Sequence, residues 1–182
     1  MSTSSAFPNS RAAHVQRGAA KAIAILAVAL LAAAGAWFFL APSSQAPDAA
    51  FTSIQGEKFT TESLRGKVVL VNFWATDCET CVQEMPMMVD TYKKYAPQGY
   101  EMVAVAMKYN PANYVLNFAQ TRQLPFKVAL DPMGKIAAAF QEVQLTPTSF
   151  LIDKQGRIIK RYLGEPDPAE FHAEIEKALA AS

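Results

Sequence analysis

Apolar and polar positions fall into blocks along this chain, and the blocks divide it in two. Ala22 to Ala41 (AIAILAVALLAAAGAWFFLA) is apolar on every side and carries no charge. Twenty such residues suffice for a helix across a bilayer core of about 30 Å. From Phe51 onward the pattern changes to short β-rich runs alternating with helical ones. Val68 to Phe73 (VVLVNF) predicts a strand buried on both faces. Val82, Met85, Met88, Val89 and Tyr92 then recur at helical spacing, with Pro86 predicted to kink that helix near its first turns. Glu101 to Met107 predicts the next strand, and Asn110-Pro111 an N-cap and first turn opening a helix through Arg122. Phe126 to Leu130 predicts a short strand, and Asp131 to Gly134 a turn into a helix ending near Phe140. Ser149 to Ile152 and Ile158 to Tyr162 flank Asp153-Lys154-Gln155-Gly156, which predicts an antiparallel hairpin. An amphipathic helix over about Asp167 to Ala180 closes the chain. The order of elements predicts an α/β sandwich around a central mixed sheet.

At 182 residues the chain holds one ordinary domain and an appendage. Arg11, Arg17 and Lys21 precede the apolar segment, and no acid occurs among residues 1–21. Asp48 and Glu57 follow it before the first base, Lys58. Positive-inside bias therefore predicts a cytoplasmic tail over 1–21, a signal anchor over 22–41 and export of everything beyond. Residues 42–50 (PSSQAPDAA) are a short tether, and 51–182 the exported domain. The length of the apolar run favours an uncleaved anchor, although Ala32-Ala33-Ala34 is similar to a signal-peptidase site. A net charge of +1 gives no reason to expect a nucleic-acid partner.

Export matters because the chain has two cysteines, Cys78 and Cys81, and a disulfide persists outside the cytosol. Zinc needs four ligands, yet the two histidines are His14, in the tail, and His172, on the last helix. Copper delivery would be helped by an imidazole near the cysteines, and Asp131 to Leu145 contains none. A structural brace closing so small a ring adds little stability. Electron transfer suits the pair better. It follows a buried strand and begins a helix, so the N-terminal N–H groups and dipole favour a Cys78 thiolate. Cys81, one turn on, reaches back to resolve a mixed disulfide.

Phe73-Trp74-Ala75-Thr76-Asp77-Cys78-Glu79-Thr80-Cys81, Glu84-Met85-Pro86, Thr146 to Asp153 (TPTSFLID) and Gly156-Arg157-Ile158 together resemble the TlpA/ResA-like branch of the thioredoxin superfamily. These are membrane-anchored thiol–disulfide oxidoreductases of the bacterial cell envelope. The resemblance runs in order from Phe51 to about Ala180. It implies a thioredoxin-like fold with an N-terminal strand extension and an inserted helix–strand element, here Asn110 to Leu130. It implies reduction of disulfides in exported proteins, often apocytochrome c, with electrons from a transmembrane thiol donor. No cofactor or metal beyond the Cys78–Cys81 disulfide is expected. Cys78 would be the nucleophile and Cys81 the resolving thiol. Pro147 matches the family's cis-proline, with Thr146 presenting its backbone to substrate and Trp74, beside the disulfide, expected with them at the substrate surface. Glu84 matches an acid of several members, suited either to shuttling protons or to raising thiol pKa values; its plain alternative is a solvated helix charge.

Two departures stand out. Asp77 replaces the Trp, Cys or Ser usual before the first cysteine, and Glu79-Thr80 fills the intervening pair. Negative charge beside Cys78 disfavours its thiolate, and a less stable reduced form makes a more reducing couple. The acids are therefore expected to push the pair toward electron donation, unless solvent screens them or they only cap the helix. The same motif also serves a thiol oxidase or isomerase, and a third reading is a copper-binding or scaffold module. Met85, Met87 and Met88 read as core filler; Tyr92, Tyr95 and Tyr100 as half-buried edges; His172 as solvated and without a partner.

Overall fold

The computed structural model describes residues 45–181. The predicted anchor at 22–41 lies outside them; among the described residues no helix is long and apolar enough to cross a membrane.

Strand β3 (Val68–Trp74) is buried at all seven positions and lies at the centre of a five-stranded sheet. The strand order is β5-β4-β3-β6-β7, with β4 at Tyr100–Ala106, β5 at Lys127–Leu130, β6 at Thr148–Ile152 and β7 at Ile158–Leu163. β3, β4 and β5 run parallel, whereas β6 and β7 are antiparallel to their neighbours. A mixed sheet of this kind is what a buried apolar run with layers on both faces requires. The helices are α1 (Glu79–Tyr95), α2 (Ala112–Thr121), α3 (Lys135–Ala139) and α4 (Pro168–Ala180).

Side chains alternate across a strand, so β3 feeds two cores. Leu70 and Trp74 face one layer with Met85 and Met88 of α1, Val115 of α2, and Phe171 and Ile175 of α4. Val69, Val71 and Phe73 face the other, with Phe150, Ile136 of α3, and Phe51 and Phe59 of an N-terminal hairpin. Each large apolar side chain so buried contributes roughly 1.5–3 kcal/mol. The hairpin pairs β1 (Ala50–Thr52) with β2 (Lys58–Thr60), and Ser53 bridges from it to Ala129 of β5. The expected strand extension is thus present as a separate two-stranded sheet. α2 and β5 form the expected insertion.

Several expectations are corrected. The strand foreseen at Glu101–Met107 begins and ends one residue earlier, because β3 pairs with it from Val68↔Tyr100 to Trp74↔Ala106. Asn110 does not cap α2. Pro111 holds that position without a side-chain bond, while buried Asn110 donates from Nδ2 to Thr76 Oγ1 at 3.0 Å and braces the loop before the cysteines. Tyr95 and Tyr100 are core residues, 1% and 2% exposed; only Tyr92 is half-buried. His172 is not merely solvated: its Nε2 lies 2.9 Å from Thr91 Oγ1, and its ring meets Tyr95 edge-on at 5.5 Å. These pairings between α1 and α4 depend on helix packing that periodicity does not encode.

Candidate active site

β3 delivers the chain to the end of the sheet, and Ala75-Thr76-Asp77 carries it into α1. Cys78 is the N-cap of that helix. Its Sγ accepts the N–H of Cys81 at 3.2 Å, and its carbonyl accepts the N–H of Val82 at 3.1 Å. A cap position leaves backbone N–H groups without helical partners, and here a sulfur takes one of them. Cys78 and Cys81 form a disulfide with Cα atoms 5.2 Å apart. Their surroundings differ. Cys78 is half-buried, while Cys81, one turn into the helix, is 0% exposed. Only one sulfur is therefore open to a partner.

Glu84 is one turn beyond Cys81 on α1 and is also fully buried. It is no solvated helix charge. Its Oε1 accepts a 2.9 Å hydrogen bond from Asn72 Nδ2, and its Oε2 has no hydrogen-bond partner among the described residues. Burial pushes its carboxyl up to about 7; the Asn72 bond opposes that rise, and the charge of Glu165 adds to it. A buried carboxyl pushed up toward neutrality, one helical turn from the buried sulfur of Cys81, suits proton transfer once the pair is reduced.

Asn72 was not foreseen as a site residue. It is the one polar side chain in the run Val68–Trp74, and on the strand's two-residue period it shares a face with Leu70 and Trp74, the face that packs against α1. A polar residue in a strand buried on both faces needs a partner, and that is the signal by which it was detectable. The partners are Glu84 and Ser149, whose Oγ accepts the second Nδ2 bond at 2.9 Å.

The Thr146–Pro147 peptide bond is cis. Phe73 pairs with Thr148, so Pro147 leads into β6 beside the end of β3. The Pro147 carbonyl accepts the Gly164 N–H at 2.8 Å, and Thr148 Oγ1 donates to the Leu145 carbonyl at 2.7 Å. Tyr109 OH lies 3.4 Å from Thr146 Oγ1. Tyr109 and Leu145 are 53% and 63% exposed, an apolar rim that sequence reasoning missed.

Asp77 and Glu79 are both exposed. Glu79 Oε1 accepts from Gln83 Nε2 at 3.1 Å, an ordinary bond along the helix surface. Trp74, expected at the substrate surface, is 0% exposed, with its ring 5.2 Å from that of Phe118. It belongs to the core because β3 keeps it paired with Ala106 to the last residue. Met85 and Met88 are buried and Met87 half-buried, and among the described residues no three His, Cys, Asp or Glu side chains are grouped to hold a metal.

The Redoxin family profile matches residues 41–179. The chain belongs to the Redoxin family. Its ResA-like character is equally plain: thiol–disulfide oxidoreductase ResA of Bacillus cereus is 36% identical over 133 residues, covering 73% of this chain and 76% of that protein. ResA of Bacillus subtilis is 33% identical over 133 residues, 73% of each. Among solved structures, a putative thioredoxin from Neisseria meningitidis superposes with a TM-score of 0.68 at 35% identity, covering 76% of this chain and 93% of that one. A putative thiol:disulfide interchange protein DsbE from Chlorobium tepidum gives 0.68 at 31%, covering 76% and 97%. This Redoxin domain is a thiol–disulfide oxidoreductase, and Cys78–Cys81 is its disulfide.

Proposed function

We propose that the chain is a reductase of disulfides in exported proteins, such as apocytochrome c or the cysteines of a metal site. The observation that carries this reading is the asymmetry of the pair: half-buried Cys78 at a helix N-cap, and buried Cys81 one turn from Glu84. In the reduced protein the Cys78 thiolate attacks one sulfur of a substrate disulfide, forming a mixed disulfide and expelling the other sulfur as a thiolate. Cys81 gives its proton to Glu84, and its thiolate then attacks Cys78 Sγ. The Cys78–Cys81 disulfide forms and the second substrate thiolate leaves. Two electrons pass from the dithiol to the substrate, and Glu84 returns its proton to the departing sulfur. Sulfur alone carries the electrons, with no metal or organic cofactor. Thr146 and Pro147 offer backbone to the substrate beside Cys78.

The direction of flow rests on charge. Asp77 and Glu79 flank Cys78, and a carboxylate at Glu84 lies behind Cys81; each disfavours a thiolate and so the reduced form. Residues 22–41 anchor the chain in the bacterial inner membrane with the domain outside, and a transmembrane thiol donor restores the dithiol. Release of the protein from membranes by alkaline carbonate would sink the anchor.

The deciding experiment is the equilibrium reduction potential of the protein against a dithiothreitol series. A value near or below the roughly −270 mV of thioredoxin supports the reductase. A value near about −120 mV, that of strong oxidants, would turn the reading toward disulfide formation.

A further inference from the structure

The role of Glu84 above leaves open which of its two oxygens handles the proton. Asn72 on β3 and Ser149 on β6 are register partners across antiparallel strands, so their side chains emerge on the same face of the sheet. The Asn72 amide has two N–H donors. One goes to Ser149 Oγ and the other to Glu84 Oε1, each at 2.9 Å. Two bonds in different directions fix the plane of the amide. All three residues are at most 1% exposed, so no bulk solvent competes for these donors.

The two Glu84 oxygens are consequently unlike. Oε1 faces a nitrogen that only donates, so it is an acceptor whether the group is ionised or not. Oε2 is buried and has no hydrogen-bond partner among the described residues. We propose that Asn72, held by Ser149, is a positioning residue that pins Oε1 and leaves Oε2 as the atom that takes and releases the proton of Cys81. The inference rests on Glu84 being the proton carrier, and it assigns work to two residues that act through hydrogen bonds leading to Glu84. The choice of asparagine follows from it. An aspartate at 72 would place a second acceptor against Oε1, and a leucine would let the carboxyl rotate so that either oxygen could carry the proton. Burial and the charge of Glu165, in the loop after β7, act on the whole Glu84 carboxyl. Cys78 and Cys81, at the start of α1, are disulfide-bonded here and titrate only once reduced. None of these distinguishes one oxygen from the other; the Asn72 bond does.

The test is the rate at which dithiothreitol reduces the Cys78–Cys81 disulfide in the full-length protein, followed across pH and divided by the reductant's thiolate fraction. Attack on Cys78 expels Cys81 as a thiolate, which a protonated Glu84 neutralises, so the corrected rate falls as Glu84 ionises. In Asn72→Leu the low-pH plateau is expected to fall about tenfold, because the proton is no longer aimed. The midpoint is expected to rise by about one pH unit, because a hydrogen bond to the carboxylate is lost. Ser149→Ala is expected to move both in the same directions by less. A plateau unchanged in a folded Asn72→Leu protein would overturn the proposal, even if the midpoint moved, since Asn72 would then only tune the acid. If Asn72→Leu does not fold, Ser149→Ala decides on the same criterion. Glu84→Gln separates the two levels. An unaltered profile there would remove Glu84 as the carrier altogether, whereas a flattened one with normal Asn72→Leu kinetics would remove only the role of Asn72.

Discussion

The backbone N–H of Cys81 points at Cys78 Sγ from 3.2 Å, so the residue that resolves the mixed disulfide also supplies a donor to the sulfur that begins it. A thiolate at Cys78 gains from that donor and from the helix dipole, whereas Cys81 lies in the core with neither water nor a cap. The reduced protein should therefore present two unlike thiols. Brief treatment with iodoacetamide near neutral pH, read by peptide mass spectrometry, is expected to label Cys78 at least about tenfold faster than Cys81. Equal labelling would contradict the assignment of nucleophile and resolving thiol.

Glu84 also sets a dependence of stability on pH. Its carboxyl is raised from 4.5 to about 7 in the folded oxidised protein, so the fold retains a proton that the unfolded chain has already released. Between about pH 4.5 and pH 7 the unfolded state binds fewer protons, and stability falls as pH rises. At about 1.4 kcal/mol per unit, the full loss is about 3 kcal/mol, complete above pH 7. Glu84→Gln is expected to be more stable than the parent by that order near pH 8 and similar to it near pH 4.5. Urea unfolding at the two pH values checks this; a difference of the same size at both would dissociate it from the ionisation.

The acids before and after Cys78 act at a distance and through solvent. Asp77 and Glu79 are exposed, and their fields are screened within about 10 Å at ordinary salt. Asp77→Ser with Glu79→Ala is expected to raise the reduction potential by about 15 mV, about half the 30 mV that corresponds to 1.4 kcal/mol. The change should vanish near 1 M salt. No change even at low salt would mean that these acids play no part in the poise.

Trp74 makes a different kind of prediction because it is core rather than surface. Its ring is fully buried against Phe118, so Trp74→Ala is expected to cost about 3–5 kcal/mol of stability. Trp74→Phe, which keeps an aromatic against Phe118, should reduce insulin at close to the parent rate. A large loss of turnover in a stable Trp74→Phe protein would return Trp74 to the substrate surface.

Much of this was legible along the chain, where the information is local. The buried run at Val68–Trp74, the helix that follows the cysteines and the Asp153–Gly156 turn all announce themselves through periodicity and turn chemistry. Asp153 bears out the last of these, accepting from the N–H groups of Gln155 and Arg157 at 3.0 and 2.9 Å. The placement of Cys78 at a helix start was equally local, since a strand–loop–helix order leaves it nowhere else. The environment of Glu84 was not legible. Its spacing from Cys81 puts it one turn on, but that spacing is the same for a solvated acid and a buried one. Sheet register decides between them, because Asn72 of β3 and Ser149 of β6 are 77 residues apart and meet only when the two strands pair. The same holds for Asn110 bracing Thr76 and for His172 reaching Thr91. A hydrogen bond between distant segments has no periodicity to read; it exists because packing removes water and leaves a buried donor such as the Asn72 amide only the acceptors that sheet register brings beside it.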